Sequence, residues 1–459
     1  MSNQQKVRKE IERLSQTKRN QMSSRERVRL LQLKLYQKAK QEPDYRFYIL
    51  YDKLFLDYIL EEAYRRCKAN QGSPGVDGMT FRQVEKEGRG AFLDEIKEAL
   101  RKRTYTSAPV KRVWIEKENG GQRPLGIPTI RDRVAQQACK MVIEPIFEAD
   151  FAEFSYGFRP NRSAGDAIRE IKGNLKNRMH TVYDADLSKY FDTIPHDKLR
   201  SVLAERIADR RVLDLIKLWL KTPIVEEDGR YTGGKRTTKG TPQGGVISPL
   251  LANIYMNLID RILAKPGGYF EKQGIKMIRY ADDFVLMGRT ICDQTIRRLH
   301  TYLECMELTV NKEKSKLVEA RQEPFDFLGF TIRYDRSIFG KGRYWNIVPR
   351  DKSQKKIRQK INTRLKKIGH FPGDQVVDIL NPIIRGWMNY YQVQGASYTQ
   401  VAFRKLDKYL RERIGGFYHR KSQKKSRLHG QQAYKLLTEK YGLVVPYRSS
   451  GLRPVNAQR

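Results

Sequence analysis

Residues 279–288 read RYADDFVLMG, and this short stretch decides the fold. Asp282 and Asp283 stand side by side between two apolar runs that are rich in strand-forming residues. Such runs predict a hairpin of two buried strands, with both aspartates in its tight turn. Because adjacent like charges repel each other, we expect a positive charge nearby. Aspartate is also an ordinary turn residue, so the pair alone leaves a purely structural role open.

The composition indicates a folded protein that binds a polyanion. Of its 459 residues, 39% are hydrophobic and 10% aromatic, which is enough for several domains with cores of their own. Its 90 lysines and arginines outnumber 52 aspartates and glutamates, and the formal net charge is +38. A chain so far from neutrality repels itself unless it meets a polyanion, and nucleic acid is the first candidate.

The sequence lacks the usual signals for export and for membrane insertion. No apolar run reaches the length of about 18 residues that a membrane span needs, and residues 1–30 have no apolar signal core. The four cysteines are far apart and form no CxxC pair, so neither a zinc site nor a disulfide framework is predicted. We therefore expect no membrane partner and a bacterial-type, reducing cytoplasm.

A second acidic segment lies at residues 181–199, TVYDADLSKYFDTIPHDKL. Its alternation predicts a strand, and a period of two places Asp184 and Asp186 on one face. Pro195 can then open a helix. Strand-edge aspartates that cap this helix are the alternative interpretation.

Other patterns predict the elements around these two segments. Residues 1–45 are basic with helical periodicity, and Ser23 with Glu26 predicts a capping box; this helix is either solvated or faces nucleic acid. Helices are predicted from Phe47 to Cys67 and over residues 83–103. A buried helix is predicted for ISPLLANIYMNL, residues 247–258. The Asn119-Gly120-Gly121 turn predicts a basic hairpin, VKRVWIEKENGGQRPLGIP.

The chain from residue 352 onward has the pattern of a basic helical bundle. Apolar residues recur every three to five positions and predict three amphipathic helices. The stripes are Ile357, Ile361 and Leu365; Leu380, Ile384, Trp387 and Tyr391; and Val401, Leu406, Leu410 and Ile414. The basic tail from His419 is expected to be loop-like.

Several motifs, taken in order, resemble those of group II intron-encoded reverse transcriptases. DADLSKYFDTI, KGTPQGGVISPLLANIYMNLID and RYADDFVLM are similar to three ordered motifs of the reverse transcriptase active site. Residues 123–164 resemble the fingers segment, FDFLGF resembles the motif after the catalytic hairpin, and LNPIIRGWMNYY resembles the maturase-specific (X) domain. The resemblance covers about residues 70–415.

The resemblance implies an α+β fold of the right-hand polymerase type, with fingers, a palm built on an antiparallel sheet, and a helical thumb/X domain. The expected segments are a basic helical N-terminal extension (1–45), the N-terminal reverse transcriptase segment with the fingers (46–180), the palm with the catalytic motifs (181–335), the thumb/X domain (336–418), and a basic tail that could bind DNA (419–459).

The resemblance also implies a metal site. Asp186, rather than Asp184, matches the family's carboxylate in the first motif, and Asp282 with Asp283 matches the acidic pair of the third motif. The backbone carbonyl of Leu187 would be a further metal ligand. Nucleotidyl transfer uses two divalent cations about 3.5 to 4 Å apart, and Mg²⁺ prefers carboxylate oxygens. We therefore expect two Mg²⁺ ions, for which Mn²⁺ could substitute.

Five further residues match family positions that select or hold the substrate. Lys117 and Arg123 would grip the triphosphate, although a solvated hairpin would also be basic. Phe191 would exclude a ribose 2′-hydroxyl, with a core aromatic as the alternative. Gln243 would lie near the incoming nucleotide. Lys314 would protonate the leaving pyrophosphate, with a surface lysine as the alternative.

We therefore expect an RNA-directed DNA polymerase that also binds intron RNA as a maturase and assists splicing and mobility. Its partners would be an RNA template with a DNA primer, dNTPs, intron RNA and target DNA. The alternatives are a domesticated or defence-associated enzyme without its own intron, a maturase that only binds RNA, and an RNA-dependent RNA polymerase. Residues 420–459 contain no cysteine and one histidine, so we expect no zinc endonuclease there.

Overall fold

The computed structural model describes residues 3–17, 21–116, 121–337, 340, 342–368, 370–421 and 431–447. Its strands, in chain order, are β1 (Val110–Glu116), β2 (Gln122–Ile127), β3 (Thr181–Ala185), β4 (Pro223–Val225), β5 (Tyr231–Gly233), β6 (Lys276–Tyr280), β7 (Asp283–Gly288), β8 (Lys316–Glu319), β9 (Phe325–Phe327), β10 (Phe330–Arg336) and β11 (Arg343–Pro349).

The helices are α1 (Asn3–Gln16), α2 (Ser24–Gln41), α3 (Tyr51–Leu54), α4 (Asp57–Ala69), α5 (Phe81–Glu87), α6 (Arg89–Lys102), α7 (Ile130–Glu148), α8 (Ala164–Lys176), α9 (Tyr190–Thr193), α10 (His196–Arg206), α11 (Arg210–Leu220), α12 (Ser248–Leu263), α13 (Tyr269–Lys272), α14 (Asp293–Cys305), α15 (Asp351–Ile368), α16 (Gly373–Tyr391), α17 (Gln400–Lys421) and α18 (Gln431–Glu439).

One antiparallel sheet, in the order β6-β7-β3-β8, joins the two acidic segments. Strand β3 pairs with β7 so that Asp184 lies opposite Val285 and Ala185 lies opposite Phe284. The strand predicted at residue 181 and the hairpin predicted at residue 279 are therefore confirmed as neighbours. Their acidic ends lie at the same edge of the sheet.

Apolar residues cover both faces of this sheet, which explains why β6 and β7 read as continuous apolar runs. Alternate residues of each strand join two different cores. Tyr183, Ala185, Phe284 and Leu286 belong to the larger one, with α7, α10 and α12. Val182, Ile278, Val285 and Met287 belong to the second, with β9, β10 and β11. The predicted buried helix is α12, whose residues are nearly all buried.

A second sheet, β2-β1-β4-β5, contains the predicted basic hairpin. Strands β1 and β2 pair antiparallel from Lys111 opposite Ile127 to Glu116 opposite Gln122. Strand β4 then adds parallel to β1. Residues 117–120, which include most of the predicted turn and Lys117, lie outside the described residues.

Two helix predictions are wrong in part, because a glycine interrupts one helix and a distant carboxylate delays the start of the other. Gly88 has a φ of +113°, a conformation open to glycine, and it separates α5 from α6 inside the helix predicted over residues 83–103. The helix predicted from Phe47 begins only at Tyr51. The Asp209 carboxylate accepts hydrogen bonds from the backbone of Leu50 (2.9 Å) and Tyr51 (2.8 Å), and these bonds hold the extended entry.

The three predicted C-terminal helices are confirmed as α15, α16 and α17, around one core. Val401 is the exception in the predicted stripes, because its side chain is 62% exposed. The loop predicted from His419 is wrong in part. Helix α17 runs to Lys421, and α18 buries Ala433 and Leu437 against the bundle because these two residues lie four positions apart.

The N-terminal helix α2 has the predicted capping box, in which Ser23 and Glu26 exchange side chain-to-backbone hydrogen bonds. Among the described residues, no helix combines the length and the apolar character that crossing a membrane would require.

We expect Leu380→Ala to lower the free energy of unfolding by about 2–5 kcal/mol, because the side chain is fully buried in the bundle core. Val401→Ala is the matched control on the neighbouring helix, and its exposed side chain predicts a change within about 0.5 kcal/mol. Urea unfolding of both variants measures the difference. Equal losses would contradict the assignment of this core.

Candidate active site

The β6–β7 hairpin presents its two aspartates in different ways. Tyr280 pairs with Asp283 and closes the hairpin, which leaves Ala281 and Asp282 as the turn. Ala281 has a φ of +59°. The prediction that both aspartates occupy the turn is therefore wrong for Asp283, which is the first residue of β7. The pairing of β6 with β7 therefore extends one residue further toward the turn than the sequence pattern predicts.

The loop before β8 holds Asp186, the first residue after β3. The backbone N–H of Asp186 donates to Ser315 Oγ at 3.0 Å, and its carbonyl accepts from the N–H of Asn311 at 2.8 Å. Lys314 Nζ lies 3.3 Å from Asp186 Oδ2. The positive charge expected beside the acidic cluster is therefore Lys314. Leu187, the next residue, is buried and bridges to Val310.

The carboxylates of both segments interact electrostatically in one cleft. Burial and, after it, the charges of Asp282, Asp186 and Asp184 together raise the pKa of Asp283 to about 7. Burial also raises the pKa of Asp282, while the guanidinium of Arg123 opposes the shift. The cleft is therefore an acidic site that a cation would stabilise.

The donor set suits a hard divalent cation, although it is not a preformed cage. Among the residues that the structure describes, no group of three or more His, Cys, Asp and Glu side chains is placed to hold a metal ion. Mg²⁺ is usually bound by one or two carboxylates together with substrate phosphates, rather than by an all-protein cage. The hard oxygen donors and their mutual repulsion therefore fit Mg²⁺ that arrives with substrate.

The loop containing Gln243 packs against the basic hairpin. Arg123 Nε donates to Gln243 Oε1 at 2.8 Å, and Gln243 Nε2 donates to Asp192 Oδ1 at 2.9 Å. The N–H of Gly126 donates to the carbonyl of Gln243. A Cβ on Gly244 would lie 2.1 Å from the Gly126 carbonyl oxygen, so only glycine permits this approach. The fold thus brings Arg123 and Gln243 together.

Phe191 lies on the short helix α9, between the acidic strand and this loop. Its side chain is 8% exposed, and its ring packs edge-on against that of Tyr190, with the ring centroids 5.5 Å apart. The carbonyl of Phe191 accepts a hydrogen bond from the N–H of Thr241 at 2.7 Å. The residue is therefore anchored in the core and tied to the loop that contains Gln243, which is compatible with either role predicted for it.

Sequence reasoning missed four charged residues beside the aspartates. A cavity of about 530 Å³ is lined by Asp184, Asp186 and Asp283 and also by Lys316, Asp326, Arg350 and Lys352. Lys316 pairs with Asp184 across β3 and β8, and Arg350 Nε lies 2.9 Å from Asp326 Oδ2. Asp326 lies within the quoted FDFLGF motif, whereas no local pattern marks Lys316 or Arg350.

Two family models match the chain. The model for "Reverse transcriptase (RNA-dependent DNA polymerase)" matches residues 115–332, and the model for "Group II intron, maturase-specific domain" matches residues 354–435. The first match contains all the aspartates of the acidic cleft. The second covers most of the C-terminal bundle.

Proteins similar to the chain include two curated relatives and one solved structure. Protein YkfC of Escherichia coli (strain K12) is 33% identical over 365 residues, which cover 71% of this chain and 93% of YkfC. Group II intron-encoded protein LtrA of Lactococcus lactis subsp. cremoris is 27% identical over 436 residues, or 74% of this chain and 70% of LtrA. The structure titled "Partial Cas6-RT-Cas1--Cas2 complex" is 22% identical, has a TM-score of 0.34, and covers 56% of this chain and 43% of that one.

The chain therefore belongs to the family of group II intron-type reverse transcriptases and maturases. It is an RNA-directed DNA polymerase, with nucleic acids as partners and a general dependence on divalent metal.

We expect Asp184→Asn to stabilise the metal-free protein at neutral pH, because burial raises the pKa of Asp184 from 3.8 to about 6. Near pH 3 the carboxyl is protonated in both the folded and the unfolded chain, so the substitution does not raise the free energy of unfolding. As the pH rises from about 4 to 6, the carboxyl ionises in the unfolded chain before it does in the folded one, and the free energy of unfolding of the wild type falls by up to about 3 kcal/mol. Denaturant unfolding of both proteins at about pH 4 and pH 8 measures this; an equal gain at both values would contradict it.

Proposed function

We propose that the protein is the reverse transcriptase and maturase of a group II intron, and that Asp186, Asp282 and Asp283 are its catalytic carboxylates. The observation that carries this proposal is the pairing of β3 with β7, which brings the acidic ends of two distant segments into one cleft. The raised pKa of Asp283 supports the same conclusion, since it reflects burial and, after it, the charges of the other aspartates.

Two Mg²⁺ ions, or Mn²⁺ in their place, would be held by the carboxylates of Asp186, Asp282 and Asp283 and by the carbonyl of Leu187. When bound, the ions would supply activation of the primer 3′-hydroxyl and neutralisation of charge on the leaving pyrophosphate. Lys314, whose ammonium contacts Asp186, would donate a proton to the leaving pyrophosphate. The protein's own contribution is to hold the carboxylates together at the ends of two paired strands.

Arg123 and Lys117 would bind the triphosphate of the incoming dNTP. Arg123 offers a planar guanidinium that suits phosphate oxygens, and its bond to Gln243 links this grip to the loop beside the nucleotide. Phe191, anchored through Thr241, would then lie under the sugar and clash with a ribose 2′-hydroxyl. Selection of dNTPs would follow from shape rather than charge.

The maturase function would be RNA binding that stabilises the folded intron. The described bundle carries many exposed lysines and arginines around its apolar core, and contacts to phosphates give affinity with little base readout. Mobility would add target DNA as a partner. The alternative is a maturase that binds RNA but has lost polymerase activity. The following variant distinguishes the two.

We expect Asp282→Ala to reduce primer extension on an RNA template by about 10²-fold or more, because it removes a carboxylate from the cleft. Intron RNA binding should stay within about twofold, since phosphate contacts are made elsewhere. Asp214→Ala is the matched control, since this aspartate is 63% exposed on α11. Extension assays and filter binding measure the two functions; full extension by Asp282→Ala would overturn the proposal.

We expect Phe191→Ala to raise the incorporation of rNTPs relative to dNTPs by about tenfold or more, because it removes the ring that would exclude the 2′-hydroxyl. Phe270→Ala is the control, since Phe270 is buried in the same core on α13. It should lower stability without changing sugar choice. If both variants discriminate as the wild type does, Phe191 is only a core aromatic.

A further inference from the structure

The catalytic hairpin contains a fully buried arginine that none of the functions above uses. Arg279, on β6, is 0% exposed, and so is Asp260 on α12. Arg279 Nε donates to Asp260 Oδ1 at 2.8 Å, and Arg279 Nη2 donates to Asp260 Oδ2 at 2.5 Å. This is a bidentate ion pair in the core beneath the turn.

The remaining donors of Arg279 reach the turn itself. Arg279 Nη1 donates to the carbonyl oxygen of Ala281 at 2.8 Å and to Asn253 Oδ1 at 2.9 Å. Asn253 lies seven residues before Asp260, so both partners face the same side of α12. Because Ala281 directly precedes Asp282, the guanidinium fixes one peptide of the two-residue turn.

A neighbouring segment holds the turn from another side. The N–H of Arg279 donates to the carbonyl of Phe154 at 2.9 Å, and the N–H of Tyr156 donates to the carbonyl of Arg279 at 2.8 Å. A Cβ on Gly157 would lie 2.3 Å from the backbone nitrogen of Ala281. Asn253 Nδ2 donates to the carbonyl of Gly157 at 2.7 Å. The turn therefore has little room to move.

A requirement for stability alone does not explain an ion pair at this place. Burying two charges is costly, and well-packed apolar residues of similar volume are often at least as stable. An apolar side chain, however, could not donate to the Ala281 carbonyl. The arginine therefore provides a geometric constraint on the turn that packing alone would not supply.

We propose that Arg279, oriented by Asp260 and Asn253, is a positioning residue that fixes the Ala281–Asp282 turn and so aims the Asp282 carboxylate. This inference rests on the proposed catalytic role of Asp282. Small displacements of a reacting group cost large factors in rate, so loss of this constraint should lower kcat. Binding of dNTP and of primer-template depends on other residues and should not change.

The double variant Arg279→Met/Asp260→Leu tests the proposal, because it removes both charges together and leaves no unpaired ion. We expect a melting temperature close to that of the wild type, kcat for primer extension lower by about tenfold or more, and a KM for dNTP within about twofold. Asn253→Ala, which keeps the ion pair, is the second variant, and we expect a smaller loss of kcat. Wild-type kcat in the folded variants would overturn the proposal.

Arg206→Met is the matched control. Arg206 is a buried arginine that donates to backbone carbonyls, including that of Ala39 at 2.7 Å, and it lies 3.0 Å from Asp150. The Arg206→Met variant should be less stable than the wild type, with kcat per folded molecule unchanged. If kcat falls only in proportion to stability in every variant, Arg279 is merely structural and the proposal is wrong.

Asp282→Asn distinguishes a failure of the positioning role of Arg279 from a failure of the catalytic role of Asp282. If Asp282→Asn is inactive while the double variant has wild-type kcat, only the positioning role of Arg279 fails. If Asp282→Asn retains wild-type activity, the catalytic assignment fails and the positioning role fails with it. Inactivity of Asp282→Asn with the expected loss of kcat in the double variant supports both.

Discussion

The antiparallel pairing of β3 with β7 is the constraint on which the cleft depends. It places Asp184 opposite Val285, and so brings residues about a hundred positions apart to one edge of a sheet. This edge concentrates negative charge, which destabilises the folded state. Two apolar cores, one on each face, supply the stabilisation that offsets this charge. The extensive burial of β6 and β7 is therefore a condition for having an acidic site at their ends.

The protein reduces the repulsion within the cleft without removing it. Lys314 contacts Asp186, and the charge of Arg123 opposes the rise that burial causes in the pKa of Asp282, yet the pKa of Asp283 is still raised to about 7. A site neutralised completely by its own lysines and arginines would have no affinity left for cations. The residual repulsion is thus a cost in stability that ligand binding can recover.

The sequence predicted the features that depend on local pattern, including the two acidic strands, the basic hairpin, the α12 helix and the capping box at Ser23. It failed where long-range contacts decide. The entry to α3 depends on Asp209, far along the chain. No local pattern marks Arg279 as buried, and only the position of α12, which carries Asp260, shows that it is. The contact of Arg123 with Gln243 has no local signature either.

Helix α12 connects the separate parts of the cleft. At its start, Ser248 Oγ donates to the carbonyl of Pro242, which lies in the loop that carries Gln243. In its middle, the carbonyl of Ala252 accepts from the hydroxyl of Tyr190, next to Phe191. Near its end, Asp260 orients Arg279 and thereby the turn before Asp282. A single rigid helix therefore sets the relative positions of the loop that carries Gln243, the aromatic residue and the acidic turn.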